Sequence, residues 1–361
     1  MGLTQLDVVH FRNLERVALA LAPGVNLLHG DNGSGKTSLL EAVHFLGSAR
    51  SFKTASPDSL IMRGEVQCLV RGDVASDSGV SRIGIQRDRG AERQIRINGE
   101  PCYKTSELAR LLPTQVLGPE SVDLLLGPPA LRRRFLNWGL FHVKHDFNQL
   151  WDEANRCLRQ RNQILRQENQ SSQELHSWSV QLAALSEKLD QLRSGYIDSL
   201  EAPFQAVVEE ISGMQAIRLE YFRGWERDGN LLEIYQKEVN SDQKRGFTQK
   251  GFQRADVRIT VDGQPAVKVC SRGELKALVW SLILAQGNLT RSREDTKTLF
   301  LVDDLASEFD RNHRWRLGNY LVNHGHQVLI TGVDRDALTD CCEDRFETMF
   351  HVKHGEVEVE Q

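Results

Sequence analysis

The residues Gly30-Asp31-Asn32-Gly33-Ser34-Gly35-Lys36-Thr37 match the pattern G-x-x-x-x-G-K-[ST] in full. Glycines at Gly30, Gly33 and Gly35 admit backbone angles that residues with a Cβ avoid. The N–H groups of such a loop converge on phosphate oxygens, at the positive end of the helix that follows. Lys36 is then placed to reach β- and γ-phosphates, and the Thr37 hydroxyl to bind Mg²⁺. Far downstream, the apolar run Leu299-Phe300-Leu301-Val302 ends in two carboxylates, Asp303 and Asp304. Beside a phosphate loop, the first acid holds Mg²⁺ through water and the second polarises the attacking water. About thirty residues before these acids stands Cys270-Ser271-Arg272-Gly273-Glu274. Ser271 there is either a plain helix cap or, with free N–H groups and the small Gly273, a second phosphate contact. If Gly30–Thr37 already surrounds the nucleotide of its own chain, that second contact serves the nucleotide of another copy.

These residues need elements to hold them. Val25–His29 has strand character and Ser38–Leu46 has apolar residues at helical spacing, so the loop sits between strand and helix. Further strands are expected at Leu3–Phe11, Val17–Leu21, Gln67–Val74, Val80–Arg87, Arg93–Asn98, Thr114–Leu117, Ile217–Phe222, Asp256–Val261, Thr298–Asp304, Gln327–Thr331, Thr348–Val352 and Glu356–Val359. Asn98-Gly99 signals a tight turn. Residues 130–212 are rich in Leu, Gln, Arg and Glu and poor in turn formers, which predicts an antiparallel helical pair broken near Ser171-Ser172. Helices of tens of residues exclude a long dimerising coiled coil. Further helices are expected over Ser106–Leu112, Asn230–Gln243, Leu275–Gln286 and Arg314–His324. The expected organisation is a nucleotide lobe from residues 1–128 and 247–361, with a helical insertion over 129–246.

A hydrophobic content of 40% and a charged content of 26% describe a globular protein, and no apolar run reaches membrane-spanning length. Met1–His10 lacks the basic and apolar segments of a signal peptide. Cysteines 68, 102, 157, 270, 341 and 342 form no C-x-x-C pair, so a reduced, cytoplasmic protein is expected. The net charge of −4 carries no global nucleic-acid signal, so DNA binding must rest on a local basic surface. Arg132-Arg133-Arg134 and the series Arg156, Arg159, Arg161 and Arg166 offer one such surface, with a solvated helical face as the alternative. No aromatic residues interleave these clusters, so base stacking is not expected, and binding would be sequence-independent and steeply salt-sensitive. His142-Val143-Lys144-His145 and His351-Val352-Lys353-His354 repeat one tetrapeptide, without the further ligands a metal site needs.

The order of phosphate loop, S-x-G helix, Asp-Asp strand and the turn Ser307-Glu308-Phe309-Asp310 resembles the ABC-type ATPase heads of the SMC group. Within that group the chain resembles the RecF family of bacterial recombinational repair. The stretches Phe11-Arg12-Asn13-Leu14, Gly30–Ala42, Arg132–Trp138, Ser271-Arg272-Gly273 and Leu301–Glu308 carry the resemblance. It implies an α/β fold: a P-loop NTPase head with a mixed sheet, an antiparallel β-subdomain and a helical second lobe. It implies ATP and Mg²⁺ as ligands, an ATP-dependent homodimer on DNA at single-strand gaps, recruitment with RecO and RecR, and a part in the SOS response. It also implies slow hydrolysis that times release. Gln115 is, on the same resemblance, the candidate for sensing Mg²⁺ and the attacking water, with a strand glutamine of no such role as the alternative. Arg12 and Asn13 contact the nucleotide's base or ribose on one reading and form a strand-end turn on the other.

The chain departs from the family pattern at three places. Glu274 stands where Gln is usual, Cys270 where Leu is usual, and Gly251–Asp256 lacks the usual Pro and His. The extra negative charge of Glu274 predicts weaker ATP-driven dimerisation. Thr331 ends a strand where many ABC ATPases keep a switch histidine, so γ-phosphate sensing is expected to be weaker or done otherwise. The rival functions are a transporter's energy subunit, which Thr331 argues against, a small-molecule kinase, and a scaffold that binds ATP without hydrolysing it.

Overall fold

The computed structural model describes residues 2–144, 146–167, 171–291 and 297–360. They form two compact units. The first comprises Met1–Ser121, Val207–Gly213 and Arg272–Gln361, and the second Val122–Ala206 and Met214–Ser271. The division differs from the expected one: residues 247–271, assigned above to the nucleotide lobe, belong to the second unit, and Ser271 and Arg272 fall on opposite sides of a boundary.

The first unit contains two six-stranded sheets. One is antiparallel, in the order Leu14–Ala20, Gly2–Phe11, Gln67–Ser76, Gly79–Asp88, Gln94–Ile97, Glu100–Pro101. Its strands alternate, burying Cys68, Val70, Ile83, Ile85 and Ile95 on one face. The other runs Glu356–Glu360, Thr348–Lys353, Val25–His29, Gln327–Gly332, Leu299–Val302, Thr114–Leu117. Five of these strands are parallel and the Glu356–Glu360 edge is antiparallel. Val25–His29, Leu299–Val302 and Gln327–Gly332 are buried along their whole lengths, as parallel strands covered on both faces must be.

The helix Lys36–Ser48 shares one hydrophobic core with both sheets. Leu39, Leu40, Ala42, Val43, Phe45 and Leu46 pack with Leu6, Val8 and Phe11 of one and Leu299, Leu301, Leu329 and Phe350 of the other. A helix apolar on nearly every side is a helix with no solvent face. Each such leucine contributes roughly 1.5–3 kcal/mol by burial, so the start of this helix is held firmly.

The second unit joins the helices Pro129–Val143 and Phe147–Leu165, the Ser172 end of the helix Ser172–Ser212, and the sheet Gln264–Pro265, Asp256–Val261, Ile217–Phe222. Leu165 clusters with Leu175, Arg161 Nε donates to Ser179 Oγ at 3.0 Å, and Cys157 Sγ lies 3.8 Å from Gln181 Oε1. Falling numbers meet rising ones, so the pair is antiparallel, with Ser171-Ser172 at the start of the second helix. The expected helix over 230–243 is two short ones, Leu231–Lys237 and Val239–Arg245, the first capped by the Asn230 side chain.

Three arginines of the basic track along these helices are taken up within the fold. Arg132 makes a paired contact with Asp256 at 2.6 and 3.1 Å and donates to three carbonyls. Arg133 donates to Ala255 O. Arg161 is fully buried, with its guanidinium on Asp242 at 2.8 Å and Thr248 at 2.6 Å, over the Tyr235 ring. Arg134, Arg156, Arg159 and Arg166 are exposed. The two copies of the repeated tetrapeptide lie on unrelated elements. His142 is buried beside Trp138 and Phe141, His351 stacks on His29, and His145 lies outside the described residues.

Candidate nucleotide site

The parallel strands Val25–His29, Gln327–Gly332 and Leu299–Val302 end side by side, and the chemistry gathers at their C-terminal ends. Gly30, Gly33 and Gly35 all have positive φ, at 148°, 79° and 120°. At Gly30 a Cβ would stand 2.1 Å from Val352 O, so the loop accepts only glycine where it crosses the neighbouring strand. Lys36 Nζ folds back onto the loop, donating to Gly30 O at 2.6 Å and Asp31 O at 2.9 Å. Burial lowers the Lys36 pKa, opposed by the charges of Asp304, Asp303 and Asp31. Asp31 and Asn32 are exposed at the rim, and Ser34 and Gly35 are buried beneath it.

The hairpin Thr348–Glu360 braces this loop from outside. Gly355 N donates to Ser34 O at 2.8 Å. Gly355 itself has φ of 84°, and a Cβ there would meet Asn13 O at 2.3 Å. Asn13 closes the other side: its Nδ2 donates to Gly33 O at 3.1 Å, and its Oδ1 accepts from Ser38 Oγ at 2.6 Å. Arg12, with φ of 57°, sets its guanidinium on Glu41 at 2.7 and 2.8 Å and on Ser59 O at 2.9 Å. Glu41 is 1% exposed and also accepts from Ser51 Oγ. In this structure Arg12 and Asn13 therefore hold the loop and its helix.

The acidic half of the site meets the loop directly. Thr37 Oγ1 donates to Asp303 Oδ1 at 2.9 Å across 266 positions of sequence. Thr331 Oγ1 lies 3.1 Å from the same oxygen and accepts from Asp304 N at 2.9 Å. Asp304 has the left-handed φ of 55°, which turns the chain sharply out of its strand. Its Oδ2 accepts from Ser307 Oγ at 2.5 Å, while its Oδ1 is buried without a hydrogen-bond partner among the described residues. Hard oxygen donors at Thr37, Asp303 and Asp304, one of them buried and unsatisfied, suit Mg²⁺.

Two expected members stand elsewhere. Gln115 pairs in register with Phe300, three residues before Asp303 and so roughly 10 Å back along the strand. Its side chain donates to Gln286 at 2.8 Å rather than reaching the carboxylates. Ser271, Arg272 and Gly273 are all exposed at the start of the helix Arg272–Arg291, and a Cβ at Gly273 would touch nothing. Residues to which motif reading gave no part in the site are Glu41 and Gly355, and Thr331 was noted only for the histidine it replaces. Glu41 carries no motif of its own, and only the burial of its helix shows that it needs Arg12. Thr331 carried a signal in being a hydroxyl that follows the apolar run Val328-Leu329-Ile330 at the end of a buried strand.

The family model for the RecF/RecN/SMC N terminal domain matches residues 2–358. A DNA replication and repair protein RecF of Pseudomonas aeruginosa is 42% identical over 359 residues, covering 99% of this chain and 97% of its own. The RecF of Stutzerimonas stutzeri is 41% identical over the same span. Among solved structures, the recombination mediator protein RecF-ATP in the RecFOR pathway aligns with a TM-score of 0.88 at 24% identity, covering 100% and 98% of the two chains. The Smc head domain of Pyrococcus furiosus aligns with a TM-score of 0.62 at 12% identity, covering 99% and 96%. These structures share the ABC-type head fold: a mixed α/β nucleotide unit with an antiparallel subdomain. With its family model spanning nearly every residue and its relatives matched end to end, the chain belongs to the RecF/RecN/SMC N-terminal domain family, among the RecF proteins.

Proposed function

We propose that this chain is an ATP-dependent DNA-binding protein of recombinational repair and replication restart, acting in the cytoplasm and within the SOS response. Membership among proteins named for DNA replication and repair supports the role. The contact between Thr37 and Asp303 is the observation that carries the chemistry, because it joins phosphate loop and acidic strand into one centre. ATP lies along Gly30–Thr37, with Lys36 turned from its loop carbonyls to the β- and γ-phosphates. Thr37 and Asp303 would hold Mg²⁺, which would supply positive charge against the transferring phosphoryl group. Asp304 orients the attacking water. Ser271, Arg272 and Gly273 of a second copy cap the γ-phosphate, so ATP brings two copies together and hydrolysis, slow by design, releases them. The dimer clamps DNA at single-strand gaps without reading sequence, and RecO and RecR are its partners there.

The test is binding of gapped DNA with ATP, with ADP, and by a Lys36→Arg variant, across a salt series. Binding that needs ATP, falls steeply with salt and is lost with ADP or in Lys36→Arg supports the clamp. Hydrolysis without DNA binding in any nucleotide state would overturn it in favour of a kinase or transporter subunit.

A further inference from the structure

We propose that Thr331 is the positioning residue of the acidic half of this site: one hydroxyl aims Asp303 at the metal position and holds the turn at Asp304. This inference rests on the reading of the site as an ATP–Mg²⁺ centre and adds to it a residue that the motifs do not contain.

Three observations carry it. Thr331 is fully buried in a strand whose other side chains are apolar or structural, so its hydroxyl must be satisfied by what lies beside it. Asp303 lies beside it: Ile330 pairs with Val302, and the next residue of each strand is Thr331 and Asp303. The hydroxyl reaches Asp303 Oδ1 at 3.1 Å and accepts from Asp304 N at 2.9 Å. It therefore bridges a carboxylate and the N–H of the left-handed residue that follows.

The consequence appears when Thr37 is used. In this structure Asp303 Oδ1 accepts from both Thr37 and Thr331. A Thr37 hydroxyl can turn a lone pair to Mg²⁺ and keep its O–H on Asp303. Two hydroxyls then fix the carboxylate's direction, and Thr331 is the one that does so without itself holding the metal. Partners of this kind behind a metal-holding group are worth 10–100-fold in metal affinity. The position that elsewhere carries a switch histidine thus serves the metal side of the site in this chain.

The experiment measures ATP binding to the full chain by titration, in EDTA and across a series of Mg²⁺ concentrations, with thermal unfolding as a control. Thr331→Val, nearly isosteric but without the hydroxyl, is expected to raise the Mg²⁺ midpoint at least tenfold and leave affinity in EDTA within twofold. Thr331→Ser, which keeps the hydroxyl, is expected to return the midpoint to within threefold of the unsubstituted chain. If Thr331→Val does not fold, Thr331→Ala, with room for a bridging water, is expected to show the same separation at a smaller size. An unchanged Mg²⁺ midpoint in the hydroxyl-free variants, or an equal loss with and without metal, would overturn the inference and leave the nucleotide site standing. An unsubstituted chain whose ATP affinity ignores Mg²⁺ would overturn the site reading as well.

Discussion

Individual side chains here are decided by what surrounds them. His44 lies half-buried on the helix that follows the phosphate loop, and desolvation pulls its pKa down from 6.5 to about 4, with Glu41 opposing. Its neutral ring sits 3.3 Å from the Thr114 hydroxyl. The unfolded chain binds a proton on this histidine between pH 6.5 and 4 and the folded chain does not, so stability rises with pH across that window. The contribution is fully present above the unfolded value and is lost as pH falls, to the extent of about 3 kcal/mol. Urea unfolding of the unsubstituted chain and of His44→Gln at pH 7, 5.5 and 4.5 checks this; the variant should lose less stability on acidification. The arginines make the same point in reverse. Arg161 and Arg134 are alike in sequence terms, a cation on a polar helix, yet one is wholly enclosed by Asp242, Thr248 and Tyr235 and the other faces water. Helical spacing says which residues share a stripe, not whether a buried carboxylate waits opposite.

Among the elements, the hairpin Thr348–Glu360 has the largest unforeseen part. Its two strands and the turn around Gly355 were legible from local composition, but its use was not. It is a brace for the phosphate loop, through Gly355 N on Ser34 O and Val352 O over Gly30. Gly355→Val would force a Cβ into Asn13 O while holding φ at 84°, at a cost of about 1–3 kcal/mol in strain. The expected outcome is nucleotide affinity reduced by roughly tenfold, with the fold intact. Gly90→Val supplies the comparison: φ there is 71°, nothing lies within 4 Å of the added Cβ, and affinity should hold. Equal nucleotide affinity in both variants would remove the hairpin from the site. The Arg12–Glu41 pair belongs to the same scale. It ties a turn between two strands of the antiparallel sheet to the helix that starts at Lys36, so sheet and loop move as one piece.

For the whole molecule the open question is what its exposed helix start meets. Gly273 stands second in the helix Arg272–Arg291, and nothing in the chain crowds it. A glycine that its own fold does not require suits the close approach of another molecule. Gly273→Ala should leave thermal unfolding unchanged or slightly raised while weakening ATP-dependent dimerisation at least fivefold, read by sedimentation. An unaltered dimer constant would count against the second-copy cap.

The phosphate loop, the paired acids and nearly every strand were legible in the chain because each is a local pattern: glycines at fixed offsets, apolar runs of strand length, a turn at Asn98-Gly99. Membership of the ABC-type head group followed from the order of those patterns. The tertiary structure alone decided which of them touch. It set Thr37 against Asp303, turned Gln115 to Gln286, enclosed Arg132 and Arg161 with acids, and made Thr331 a partner of the Asp303 carboxylate and of the Asp304 N–H. It also drew the unit boundary at Ser271, through the very motif that sequence had placed within one lobe. Hydrogen bonds and burial depend on residues brought together from hundreds of positions apart, and no periodicity within a single segment records its neighbour across the sheet.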